Sequence, residues 1–387
     1  MINSKNNIVE KMSVNNGLKG VVALESDISR VDGGRGILEY RGYNIHDLAE
    51  HSSFEEVVYL LFHKKLPTKA ELRDFSEDLA ERRDLCPEVI GLLSSLCNYR
   101  VKSHPTVYLR TAISYLGSLD ENLEDISFKE NLEKGLDFVA KIPTIVAYIQ
   151  RMSEGKRLVY PDKKLGYAAN FLYMLYGVEP DNVEEYALNL DLILHSEHGL
   201  NASTFSARVS ASTLSDMYAC VVSATGTLFG QLHGGASQKV IEMLRELKGK
   251  DKRDLEKWVD KKLQQEEKIM GFGHRVYKTK DPRAEELRIL AKELDNLKGN
   301  DWISLADELA EIVYRKKRIY PNVDLYAPTV YANLGIPDVQ FINMFVLGRI
   351  AGWATHVMEQ YQNNKLIRPL QKYRGEKNIA FIPIDKR

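Results

Sequence analysis

Cysteine is scarce in this chain: Cys86, Cys97 and Cys220 are the only three in 387 residues, and none stands in a Cys-x-x-Cys spacing. That excludes a disulfide framework and a cysteine-built metal site as organising features. Charge of one sign is also lacking, with 53 Lys and Arg against 54 Asp and Glu. Without a basic field the chain does not hold nucleic acid by bulk electrostatics, so an anionic ligand must be gripped by a local cluster of cations. Residues 1–16 are polar and mixed in charge, unlike a secretory signal. The most apolar long segment, 341–358, carries Arg349 and His356 and reads as a buried helix, not a membrane span. No short-period repeat and no low-complexity run is present. These absences predict a soluble, cytoplasmic protein with neither a membrane nor a nucleic-acid partner.

What is there reads as mostly helix. Hydrophobic content of 44% and charged content of 28% are those of an ordinary globule, and the length allows two domains. Residues 1–16 read as a loose tail or a poorly packed first helix. Residues 18–43 alternate apolar and polar around Asp32-Gly33-Gly34 and Arg41-Gly42, which predicts a small β-hairpin region. From Phe54 the period changes: Phe54, Val57, Val58, Leu61 and Phe62 form one apolar stripe. Helices are predicted near 68–83, 87–98, 105–118 and 127–154, the last kinked or broken near Ile142 by Pro143. Others follow near 165–176, 182–198 and 202–230, then a more charged set at 236–247, 253–268, 282–297 and 303–317. The segment 337–362 is the longest uninterrupted helical pattern. The prediction is an all-α fold of two domains. A large one comprises residues 1–231 and 337–387, and a small one, 232–336, is inserted into it.

The densest chemistry lies in Gly271-Phe-Gly-His-Arg-Val-Tyr-Lys-Thr-Lys-Asp-Pro-Arg283. Two glycines permit sharp turns or close approach. Asp281-Pro282 is an N-cap followed by proline at the first helical position, which puts Arg283 in a first turn that favours an anion. Three more features stand out. In Glu197-His198-Gly199, the glycine reads as a helix C′ residue, so His198 lies at a helix C-terminus whose dipole favours a protonated ring. His233, before Gly234-Gly235, stands at the mouth of the next helix. Tyr320-Pro-Asn-Val-Asp324 is a turn delivering one carboxylate into apolar surroundings, where it is a better base than in water. Arg349, inside an apolar helix, needs a partner, and with Arg283 and Arg368 it could grip two carboxylates bidentately.

Histidines, one carboxylate base and several arginines suit proton abstraction beside a carbonyl, with a donor stabilising the enolate oxygen. A metal-dependent hydrolase is the competing class, because His195, Glu197 and His198 are crowded together, although not in the HExxH zinc pattern. A catalytically silent helical scaffold would leave the glycine–histidine junctions unexplained.

From Gly17 to about Arg368 the chain resembles the citrate synthase family. The match is carried by Leu38-Glu-Tyr-Arg-Gly-Tyr43, Leu66-Pro-Thr68, His104-Pro105, Glu197-His-Gly-Leu-Asn-Ala-Ser-Thr204, Leu232-His-Gly-Gly-Ala236, Gly271-Phe-Gly-His-Arg-Val-Tyr277 with Asp281-Pro-Arg283, and Pro321-Asn-Val-Asp324. The resemblance implies a homodimer that condenses oxaloacetate with acetyl-CoA and hydrolyses the product to citrate and CoA. Acetyl-CoA is then a co-substrate, with no metal and no separate cofactor. By position, Asp324 would take the methyl proton, His233 would stabilise the enol oxygen and His274 would polarise the ketone. His198, Arg283 and Arg349 would hold oxaloacetate, with Arg368 reaching in from the other subunit. Lys278 and Lys317 fall where the family places cations near the CoA phosphates. One departure is Gly199, where many members have Glu. The related 2-methylcitrate synthases, which use propionyl-CoA, share all these residues.

Overall fold

The computed structural model describes residues 14–100 and 102–387. Most of the N-terminal tail lies outside them, and Asn16–Leu18 forms a single 3-10 turn. The expected β region is a three-stranded antiparallel sheet of β1 (Ser29–Asp32), β2 (Ile37–Tyr40) and β3 (Tyr43–Asn44), paired in chain order. Asp32 closes the first turn by accepting from the amides of Gly34 and Arg35 at 3.1 and 3.0 Å. Arg41 and Gly42 make the second with φ of 49° and 89°, the left-handed pair that a tight hairpin needs.

All other regular elements among the described residues are helices, joined by loops. In α1 (Ile45–His51) and α2 (Phe54–His63) the chain turns inward, and the Ser53 hydroxyl starts α2 by accepting from the Glu56 amide. The predicted stripe of α2 is buried, but so are Tyr59 and Leu60, so the helix is enclosed on more than one side. A reciprocal Thr68–Glu71 capping box opens α3 (Lys69–Glu81), and proline at the first position opens α4 (Pro87–Asn98) and α5 (Pro105–Ser118).

Helix α6 (Phe128–Ser153) is not broken near Ile142: it runs through Pro143 and, at 26 residues, is the longest among the described residues. Proline removes one N–H and crowds the carbonyl four residues back. Here residues 142–151 are all buried, and that packing holds the backbone helical. After α7 (Tyr167–Tyr176), α8 (Asn182–His195) stops three residues short of the predicted end. The apolar stretch 202–230 is two helices, α9 (Ala202–Ser212) and α10 (Met217–Leu228). Leu214 separates them at φ 62°, and Asp216 caps the second.

The charged set appears as α11 (Gly235–Leu247), α12 (Lys252–Gln264), α13 (Pro282–Lys298) and α14 (Trp302–Lys317). Helix α15 (Val323–Asn333), which runs through Pro328, was not among the predicted elements. The last helix, α16 (Phe341–Gln362), is buried at every residue from Phe341 to Met358 and packs on α6, α8, α9 and α10. A helix apolar all round is the centre of a core. Helices α11 to α15 pack chiefly on one another and meet the rest through α16, α1 and α8. No helix among the described residues is long and apolar enough to cross a membrane.

Candidate active site

The sheet positions the first site segment. The hydroxyl of Tyr40, at the end of β2, lies 2.8 Å from the Glu197 carbonyl and 3.2 Å from those of Ile193 and Leu194. This pins the chain as it leaves α8. His198 lies beyond the helix end, and Gly199 turns the backbone at φ 56° toward α9. A side chain at Gly199 would also press on Val31, 3.2 Å from the added Cβ, so this turn suits glycine.

A second pair of loops forms one ribbon. Gly271 and Gly273 take φ of 85° and 78°, and a Cβ on Gly271 would meet the Leu325 backbone at 3.1 Å. Phe272 pairs with Pro321, the Gly273 amide donates to Tyr320 O, and the Asn322 amide donates to Gly271 O. Asn322 adds a side-chain bond to Gly273 O at 2.7 Å and caps α15 by accepting from the Asp324 amide at 2.9 Å. His274 and Asp324 are thereby carried on joined loops.

Both loops open on a cavity of about 1260 Å³. His198, His233, His274, Arg283, Asp324, Arg349 and Lys317 all line it. Lys278 does not; it lines a neighbouring hollow of about 230 Å³. Arg275 lines the large cavity instead, and also bonds to Gly17 O at 3.0 Å. Arg368 is exposed beyond α16, outside the cavity of its own chain.

The three histidines share an electrostatic state. Burial lowers His233 and His274 to about 4, assisted by Arg349 for the first and Arg283 for the second. His198 is driven well below its ordinary value by burial and by the charges of Arg283, His274 and Arg349. The helix-end argument for a protonated His198 therefore fails: the ring lies past the helix, buried and among cations. Neutral rings have one acceptor nitrogen each. His274 Nδ1 accepts from the amides of Val276 and Tyr277, both at 3.1 Å, which leaves the proton on Nε2. Ser203 holds His233 Nε2 through its hydroxyl (2.9 Å) and amide (3.4 Å), leaving Nδ1 unengaged by it. His198 Nε2 meets the Tyr277 hydroxyl at 3.1 Å.

Asp324 moves the other way. Burial raises its carboxyl to about 6, against the opposing pull of Arg283, His195 and Arg349. Its partial exposure is to the cavity it lines. Such a group is ionised at neutral pH yet basic enough to take a proton. Arg283 is held bidentately by Asp281 at 3.0 and 2.8 Å, both residues buried. Arg349 finds no ion pair among the described residues; its Nε donates to the His195 carbonyl at 2.6 Å, and the residue lines the cavity. The partner expected for it is a carbonyl.

His195, Glu197 and His198 do not converge. The His195 ring lies against Asp191, Glu197 bonds to His356, and His198 alone faces the cavity. Among the described residues no three His, Cys, Asp or Glu side chains are grouped to hold a metal ion.

Helix α16 approaches this wall only because of glycine. A Cβ at Gly348 would lie 2.8 Å from His195 Cβ, and one at Gly352 only 2.4 Å from both Glu197 Oε2 and the Ser196 carbonyl. Gly352→Ala is expected to destabilise the fold by about 1–3 kcal/mol, as overpacking does. Urea unfolding measures it, and an unchanged midpoint would show that the wall is looser than these distances imply.

A model of the citrate synthase C-terminal domain matches residues 17–370. The chain belongs to the citrate synthase family. It is thus an acyltransferase enzyme, and the family implies oxaloacetate and acetyl-CoA as its substrates. It is 44% identical to the citrate synthase of Haloferax volcanii over 96% of this chain and 98% of that one. It is also 38% identical to the 2-methylcitrate synthase 1 of Corynebacterium glutamicum, over 97% and 98%. The solved Thermoplasma acidophilum citrate synthase in ternary complex with carboxymethyl coenzyme A and oxaloacetate matches with a TM-score of 0.90. It is 30% identical, over 97% of this chain and all of that one.

Sequence reasoning for this citrate synthase family member missed several residues that build the site. Ser203 and Asn322 stood inside quoted motifs without a role of their own, and Asp281 was read only as a helix cap. Tyr277 and Glu197 also stood in quoted motifs, but their structural roles were not legible, since their partners lie far away in the chain.

Proposed function

We propose that this chain condenses oxaloacetate with acetyl-CoA and hydrolyses the resulting thioester to citrate and CoA. The observation that carries this reading is the convergence of neutral His233 and His274 with a carboxylate raised to about 6 in one arginine-lined cavity. Asp324 takes a methyl proton from acetyl-CoA. His233, with Nε2 accepting from the Ser203 amide, donates from Nδ1 to the enol oxygen. The new nucleophilic carbon attacks the oxaloacetate ketone, which His274 polarises through Nε2–H. Neutral donors suit this step, because they stabilise developing negative charge without giving up a proton beforehand. His198, Arg283 and Arg349 hold the oxaloacetate, and water then cleaves the thioester. No step needs a metal.

Lys317, and Lys278 from its neighbouring hollow, are assigned to the CoA phosphates, with Arg275 added because it lines the main cavity. Residues 232–336 act as the small domain. The working form is a cytoplasmic homodimer in which Arg368 enters the partner's site, a reading supported by its exposure outside the cavity of its own chain. Propionyl-CoA is the second acyl donor to consider, favoured by the full-length match to a 2-methylcitrate synthase. One added methylene changes discrimination by only about 1–3 kcal/mol, so kcat/KM for the two thioesters must be compared directly.

CoA release should require oxaloacetate and survive a chelator. Below pH 6, kcat/KM should fall about tenfold per unit as Asp324 is protonated, while histidines titrating near 4 stay neutral. Release without oxaloacetate would indicate a simple thioesterase, and a flat profile down to pH 5 would remove Asp324 from the role of base.

A further inference from the structure

Glu197 takes no part in the chemistry proposed above, yet it is fully buried beside it, next in the chain to His198. Its Oε1 accepts from Ser29 Oγ and from His356 Nε2, both at 3.0 Å. The histidine's proton is fixed on Nε2 because Nδ1 accepts from Arg208 at 2.9 Å. Arg208 is itself anchored by Gln360 and Glu359, each from α16. The other oxygen, Oε2, is buried without a hydrogen-bond partner among the described residues, in space that glycine at 352 leaves open. Arg349 is a near cation, but it makes no ion pair with Glu197 and lines the cavity with its guanidinium bonded to a carbonyl.

We propose that Glu197 is a fixed counter-charge that limits how tightly the site holds its anionic ligands, so that the more highly charged product is not retained. This rests on the oxaloacetate reading. The carboxylate is tied from two sides and cannot swing onto Arg349, so the guanidinium stays free for a ligand carboxylate. In a dry interior the charge of Glu197 nevertheless acts over several ångströms, and what attracts Arg349 repels the ligand that Arg349 binds. The repulsion grows with ligand charge. Oxaloacetate carries two carboxylates and citrate three, so the penalty falls more heavily on the product. A buried carboxylate with an unmet oxygen is costly to keep, and a use for the charge itself accounts for it.

The test is Glu197→Gln, which keeps the shape and can still accept from Ser29 and His356. The oxaloacetate KM is expected to fall by roughly threefold or more, and the competitive inhibition constant of citrate by a larger factor. A merely structural disturbance would not scale with ligand charge. Glu197→Asp, which keeps the charge, should leave the ratio of the two affinities near that of the wild type. An unchanged or raised KM in a folded Gln variant, or equal factors for both ligands, would overturn the proposal. Should that variant fail to fold, His356→Phe frees the carboxylate to reach Arg349 and should raise KM; an unchanged KM there overturns it equally. A wild-type chain without oxaloacetate-dependent CoA release overturns the underlying reading, and the proposal with it.

Discussion

Asp324→Asn should bind oxaloacetate almost as the wild type does while losing roughly 10²-fold or more in kcat, the usual worth of a general base. The substitution is close to isosteric. It leaves the backbone amide of residue 324 to donate to Asn322, so the cap of α15 survives. What it removes is the carboxylate, raised to about 6 by burial, that the joined loops place in the cavity. Stability supplies an independent check. The folded carboxyl is raised to about 6, above its ordinary 3.8, so ionisation opposes folding once the pH passes the unfolded value. The neutral asparagine escapes that cost, and the variant should be at least as stable as the wild type at pH 8. A loss of activity accompanied by a loss of stability would point to disrupted structure; near-native turnover would mean that another group is the base.

Arg368→Ala and His274→Ala homodimers should each be nearly inactive, and a mixture of the two should recover. Arg368 lies exposed beyond α16 and outside the cavity of its own chain, whereas His274 lines that cavity. In an isologous dimer each subunit completes the other's site. A dimer with one mutation per chain therefore has one site with both defects and one with neither. Random reassociation makes half the dimers mixed, so activity should approach about a quarter of the wild type. Dissociation and reassembly of the two purified variants, with mixed dimers verified by mass spectrometry, gives the measurement. Mixed dimers that remain inactive would place Arg368 within its own chain's chemistry or outside catalysis.

Local signals carried much of the fold. Glycine at a positive φ, proline at a first helical position and Ser, Thr or Asp caps each act within a few residues. For that reason the starts of α2 to α5 and of α13, and the hairpin, were readable. The same local logic expected a break at Pro143. There it registered a broken hydrogen-bond ladder, but not the burial that keeps α6 helical.

The sequence by itself determined which groups could do the chemistry: three histidines beside glycines, a carboxylate behind Pro-Asn-Val, and arginines able to grip an acid. Only the tertiary structure decided their working state. His198 stood at an apparent helix end that argued for a protonated ring, and burial beside Arg283 and Arg349 drives it neutral. Arg349 needed a partner of unknown kind, and the His195 carbonyl at the end of α8 holds it. Glu197 had no visible partner in the chain around it, yet residues 29 and 356 fix it in place. The physical reason is that residue type is a local property. A pKa or an orientation comes from desolvation and from charges brought together across more than a hundred residues, and these exist only once the chain has folded.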